Sequence, residues 1–182
     1  MSNARNLASL LGTSTTVPSS KLSLTATDMP TGTVLQVIHK DADTNGTKVQ
    51  NTSGTFATAF SATITPTLST SKILVVVNFS YMSNRNGDQL YTGHKLLRDI
   101  GGTTTTISSG KNASDDTSFM TSHLRYINSP AAAQLLGNSV FNILDTPNTT
   151  SAISYLLQHA QLGSNNWTQT GGAYFTLMEI AG

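Results

Sequence analysis

Apolar and polar positions alternate with a period of two over most of the chain beyond residue 32, the signature of half-buried β-strands. The final ten residues, Ala173–Gly182 (AYFTLMEIAG), carry it most plainly. Tyr174, Thr176, Met178 and Ile180 fall on one face, and Ala173, Phe175, Leu177 and Glu179 on the other. The run Lys72–Met82 (KILVVVNFSYM) is the strongest strand. Its unbroken Ile73–Val77 stretch predicts burial on both faces, within a sandwich or at an interface. Further strands are predicted over Thr33–Lys40, Thr55–Thr65, Tyr91–Ile100, Ser118–Ile127, Ser139–Leu144 and Ala152–Gln161. Asp41–Gly54, Asn84–Gly87, Gly101–Gly110 and Asp145–Ser151 read as loops or turns, and Ala131–Leu136 as a short helix or part of a loop. Short strands at this spacing predict an all-β protein, an antiparallel β-sandwich of jelly-roll type.

The N-terminal stretch breaks the pattern. Ser2–Gly12 is a short helix candidate, with Ser2 or Asn3 as cap, Gly12 as terminator, and Leu7, Leu10 and Leu11 on one face. Helices of about ten residues are marginal alone. The segment is therefore a docking peptide that folds on a partner, a frayed terminus, or a piece packed on its own domain. Thr13–Pro30 is Ser/Thr-rich and interrupted by Pro18 and Pro30. Fully extended, it reaches about 60 Å. The expected organisation is an anchoring arm over residues 1–31 and a β-domain over residues 32–182.

Composition narrows the function. The chain has 182 residues, 37% hydrophobic and only 10% charged; roughly a quarter is Ser and Thr, well above ordinary usage. A net charge of +1 without a basic, aromatic-interleaved patch gives no reason to expect nucleic-acid binding. The apolar runs are too short to span a bilayer, and the N-terminus lacks a secretory apolar stretch, so neither membrane insertion nor secretion by that route is expected. Cys is absent, which removes disulfides and thiolate metal sites.

Catalytic chemistry finds little support. Asp41-Ala42-Asp43-Thr44-Asn45-Gly46 matches the first half of a calcium loop, but Thr52 stands where the closing bidentate acid belongs. An Asn45-Gly46 hairpin with solvated acids is the simpler reading. His39, His94, His123 and His159 are widely spaced and form no metal-binding pair in sequence. No G-x-S-x-G elbow occurs, Asp115-Asp116 sits in a polar loop, and Glu179 is the only Glu. No catalytic residue, metal or cofactor is therefore assigned. Tyr91 and Trp167 are candidates for stacking on a glycan, with Trp167 read as part of a polar loop over Ser164–Thr168.

Five segments together resemble a group of short virion structural proteins of marine and cyanobacterial phages: MSNARNLASLLG, PTGTVLQVIHK, SATITPTLSTSKILVVV, LDTPNTTSAISYLLQ and FTLMEIAG. The resemblance covers most of the chain except roughly Asn84–Tyr126. It implies a jelly-roll head similar to trimeric C1q/tumour-necrosis-factor-like heads, attached to the particle through the N-terminus. Arg5, Leu7, Leu10 and Leu11 would make the docking contact. The expected function is a non-enzymatic, homotrimeric component of the virion surface, assembled in the host cytoplasm. It would be either a capsid decoration (cement) protein, with the major capsid protein as partner, or a short tail fibre, with a tail adaptor as partner. The alternative is a receptor-binding adhesin that recognises host-surface glycan through Tyr91 or Trp167.

Overall fold

In the computed structural model, residues 25–42, 46–109, 120–125 and 134–182 are described, with the backbone alone at 84–91, 109, 120–125, 135 and 162–166. After a short 3-10 turn at Ala26–Asp28, the elements are β1 (Val34–Asp41), β2 (Val49–Asn51), β3 (Ala57–Ile64), β4 (Lys72–Ile100), β5 (Thr103–Ser109), β6 (Met120–Arg125), β7 (Gln134–Asp145) and β8 (Ile153–Ile180). All pairings are antiparallel.

Two long strands organise everything. β4 and β8 pair along their whole length, from Lys72 opposite Ile180 to Ile100 opposite Ile153. This ribbon doubles back on itself. Phe79 and His94 lie on the same strand, and a straight strand would hold them about 50 Å apart. Their ring centroids are instead 4.6 Å apart. The fold-over falls where the register breaks, between Asn84, Arg85 and Leu90 of β4. One half of the ribbon carries β1 and β2 beside β8 and β7 beside β4; the other carries β3 beside β8 and β5 and β6 beside β4. The result is a sandwich of two antiparallel sheets.

Its core lies between the two halves. Ile73, Val75, Val77 and Phe79 of β4 and Ala173, Phe175 and Leu177 of β8 face Phe60, Ala62, Ile64, Leu96, Ile153, Tyr155 and Leu157 from the other sheet. The face division foreseen for Ala173–Ile180 holds: Ala173, Phe175, Leu177 and Glu179 are buried, and Tyr174, Thr176, Met178 and Ile180 are half-buried or exposed.

Several predicted loops are strand. Asn84–Gly87, expected as a turn, lies within β4, and Gln134–Leu136 belongs to β7. The expected Gly101–Gly110 loop is mostly β5. Gly101 and Gly102, with φ of 59° and 86°, form a two-residue hairpin between Ile100 and Thr103. Positive φ at both central residues suits the right-handed twist of the flanking strands. The following threonines have the β-branched shape that strands favour.

Gly172, at φ 55°, supplies the extra residue of a β-bulge. On its two sides β8 switches which positions face inward, from Thr168 and Thr170 to Ala173 and Phe175. A Cβ added there would lie 3.1 Å from Ser80 Oγ. Gly172→Ala is expected to cost about 1–2 kcal/mol through backbone strain and this contact. Equilibrium urea denaturation measures the loss, and an unchanged midpoint would contradict the assignment of this bulge.

Candidate assembly interface

The two sheets differ on their outer faces. On the β3–β8–β4–β5 sheet, one row across all four strands reads Thr63, Ser154, Asp99, Thr104. It is polar, as a water-facing antiparallel sheet should be, and Thr63 and Ser154 share a hydroxyl hydrogen bond of 2.9 Å. Its described apolar side chains include Leu97, which is buried, and Leu156, which is half-buried, and the ammonium of the outward Lys95 sits 4.5 Å from the centre of the Phe56 ring.

The outer face of the β1–β8–β4–β7 sheet is different. Its register brings Val37, Met178, Leu74 and Leu144 into one row across four strands. Neighbouring outward positions add Val34, Ile180, Val76, Tyr174, Val140 and Leu136. Val37 is 52% exposed, Leu144 53% and Leu136 67%. Four strands by seven residues make a face of about 15 by 25 Å. The largest contiguous apolar patch on a typical monomer is about 300–600 Å² and is often functional. His39 lies on this face, its ring 6.4 Å from Tyr174 and its Nδ1 3.1 Å from the Thr176 hydroxyl.

Towards the fold-over, the same face holds a groove of about 350 Å³. Lys48, Gln169 and Asn138 give it polar groups; Tyr81, Met82 and Leu136 give it apolar ones.

Arg5, Leu7, Leu10 and Leu11 lie outside the described residues, as do Asp43 and Asn45 of the candidate calcium loop. Asp41 ends β1. Tyr91 lies in β4, with its side chain outside the described set. Trp167 is not in a loop: it belongs to β8, pairs in register with Asn84 and is half-buried. Its Ser/Asn-rich surroundings suggested a turn, but cross-strand pairing with β4 overrides that local preference.

The sequence reading did not find the buried polar groups. Glu179 faces inward and is completely buried. It accepts hydrogen bonds from Gln36 Nε2 at 2.6 Å, the Thr67 amide and hydroxyl at 2.7 and 2.8 Å, the Leu68 amide at 3.2 Å and the Ser71 hydroxyl at 2.7 Å. Burial alone would push its carboxyl up, but the bonds from Gln36, Ser71, Thr67 and Leu68 outweigh this and hold it below the ordinary value. The alternation of the last strand signals this residue, since it puts Glu179 on the same face as Phe175 and Leu177. His94 and His159 stand opposite each other in the β4–β8 register, with ring centroids 6.3 Å apart. Among the described residues, no group of three or more His, Cys, Asp or Glu side chains is arranged to hold a metal ion. No helix among them is long and apolar enough to cross a membrane.

This architecture defines an antiparallel β-sandwich of jelly-roll type. No protein-family model and no curated protein matches the chain. Among solved structures, it is similar to that of infectious bursal disease virus, Gx strain, with a TM-score of 0.44 and 15% identity, covering 81% of this chain and 33% of the other. It is likewise similar to infectious bursal virus derived T=1 particles (TM-score 0.42, 16% identity, 81% and 32% coverage). A third such structure is the infectious bursal disease virus VP2 subviral particle (TM-score 0.38, 14% identity, 81% and 33% coverage). The chain spans about a third of the length of these proteins.

Proposed function

We propose that this protein is a non-enzymatic structural component of a bacteriophage virion. It forms a homotrimer on the particle surface through the β-domain, residues 32–182, and is tethered by the arm, residues 1–31. The observation that carries the reading is the apolar row Val37–Met178–Leu74–Leu144 on the outside of one sheet, opposed to the polar row on the other. A second and third copy of the chain remove that face from water. Three arms leaving one trimer strengthen attachment through effective concentration. The arm's partner is the major capsid protein for a decoration role, or a tail adaptor for a short-fibre role. The sequence has no long shaft between arm and head, which favours decoration.

Sedimentation equilibrium is expected to give the trimer mass for the full chain and for a variant lacking residues 1–31, with only the full chain co-sedimenting with particles. Val37→Glu combined with Leu144→Glu is expected to give a folded monomer, because two carboxylates cannot be buried unpaired at the contact. A wild-type monomer at high micromolar concentration would overturn the assembly. Loss of structure on removing the arm would overturn the domain boundary.

A second reading, recognition of host-surface glycan, rests on the groove beside Lys48, Asn138 and Gln169, with Trp167 two positions along β8 from Gln169.

A further inference from the structure

The sandwich is not filled uniformly. At one end its interior is aliphatic and aromatic; towards the fold-over of the ribbon it becomes polar, with Ser83, His94, His159, Thr168 and Thr170 completely buried. The two imidazoles share one hydroxyl. His94 Nε2 lies 2.9 Å and His159 Nδ1 2.8 Å from Thr170 Oγ1. A hydroxyl has one proton to donate, so one imidazole nitrogen accepts it and the other donates to the same oxygen. This arrangement requires a neutral imidazole on the accepting side.

We propose that the His94–Thr170–His159 cluster is an acid-sensitive latch, which holds the folded-over end of the sandwich closed when both imidazoles are neutral and releases that end first when they take up protons.

Among the described residues, the groups against the two imidazoles include aromatic rings, a hydroxyl and each other. Phe79 and Tyr81 of β4 pack against His94, with centroids at 4.6 and 5.4 Å. On β8, Thr170 and His159 face it. On β2, Asn51 donates to the His159 carbonyl at 2.9 Å and leaves the imidazole itself uncompensated. His159 Nε2 is buried with no hydrogen-bond partner among the described residues. Besides Tyr81, the titratable group that either imidazole meets among the described residues is the other imidazole. Burial, with the neighbouring His159 adding to it, holds His94 down to about 3, and burial holds His159 down to about 4.

The sign follows from proton counts. Between the ordinary histidine value of 6.5 and these depressed values, the opened state binds protons that the closed state does not. Closure is therefore at full strength above pH 6.5 and weakens as pH falls. Within that window each histidine raises the ratio of opened to closed forms by about tenfold per pH unit. The aliphatic end contains no such group and keeps its packing.

Hydrogen–deuterium exchange on the full chain tests this, with protection factors compared at neutral pH and at about pH 5. Protection is expected to fall at least tenfold around Thr92–Lys95, His159–Ala160 and Thr168–Thr170, and to stay within twofold over Ile73–Val77 and Phe175–Leu177. In the double variant His94→Gln, His159→Gln the difference between pH values should disappear. Equal loss of protection at both ends, or an unchanged acid response in the double variant, overturns the latch. Should that variant fail to fold, proton NMR of the wild-type imidazoles decides. Two histidines that stay neutral until the fold-over end opens support the latch. Ordinary titration of all four imidazoles with the structure intact overturns it.

Discussion

Glu179→Ala is expected to destabilise the fold by about 3–5 kcal/mol, the loss that follows when a buried charge's hydrogen-bonding donors are stranded. The carboxylate ties three pieces of chain together: Gln36 of β1, the Thr67–Ser71 connection before β4, and the end of β8. Removing it leaves two backbone amides and two hydroxyls without an acceptor inside the protein. Glu179→Gln keeps the volume but sets an NH₂ group against donors, and about 2 kcal/mol is expected. Urea denaturation monitored by circular dichroism gives both values; losses under 1 kcal/mol for both variants would show that this carboxylate is not a structural pin. The pH dependence separates it from the histidines. A carboxyl held below its ordinary value of 4.5 contributes fully above that value and loses its contribution as pH falls through the lower, folded one. Glu179 therefore does not account for stability lost between neutral pH and about pH 5, the window in which the latch of His94 and His159 is expected to act.

The second large effect is expected at Asp145. Its Oδ1 accepts from Arg98 Nη1 at 2.8 Å and from the Thr146 amide at 3.0 Å, and its Oδ2 accepts from the Tyr155 hydroxyl at 2.9 Å. Asp145 ends β7 in one sheet, whereas Arg98 and Tyr155 belong to the other half of the ribbon, so the carboxylate bolts the sheets together. Burial, followed by the negative charge of Asp145, pushes the Tyr155 phenol up and keeps it a proton donor. Asp145→Ala strands a guanidinium and a buried phenol and is expected to cost about 2–4 kcal/mol, the lower part of the range reflecting the partial exposure of Arg98. Tyr155→Phe should cost about 1 kcal/mol, and the double variant less than the sum, because the two changes break one shared bond. Strict additivity in thermal or urea denaturation would separate the two residues energetically.

What the sequence revealed and what it hid divide along a physical line. Alternation in Ala173–Ile180 gave that strand and its division into two faces, and the apolar run gave the strand at Lys72–Phe79, because side-chain direction in a strand is a local property. The apolar run Ile73–Val77 was read as buried on both faces; the structure buries Ile73, Val75 and Val77 and leaves the outward Leu74 and Val76 half-exposed, within the proposed interface. The β5 hairpin was legible too: two glycines after Ile100 and a run of β-branched threonines are a hairpin signal, but the low hydrophobicity of the segment made it read as a loop. Asn84–Gly87 and the surroundings of Trp167 misled for the opposite reason. Their turn-forming residues are overridden by pairing between β4 and β8, which no local window contains. The meeting of His94, His159 and Thr170 was hidden for the same reason, since it depends on the ribbon folding over.

That ribbon also sets a timetable. Ile100 meets Ile153 across a moderate separation, whereas Lys72 must wait for Ile180, more than a hundred residues further along. Sheets built from such distant partners form slowly, in milliseconds to seconds. A ribosome halfway through β8 holds a chain whose β1 and β2 still lack the strand they pair with, and whose N-terminal half of β4 has β7 but not β8 beside it. The hairpin of β4 and β5 has its partner early; the apolar sheet is completed only when the last strand emerges. The association of subunits proposed through that sheet would therefore wait until β8 has been synthesised, which keeps this apolar face from being assembled on a nascent chain.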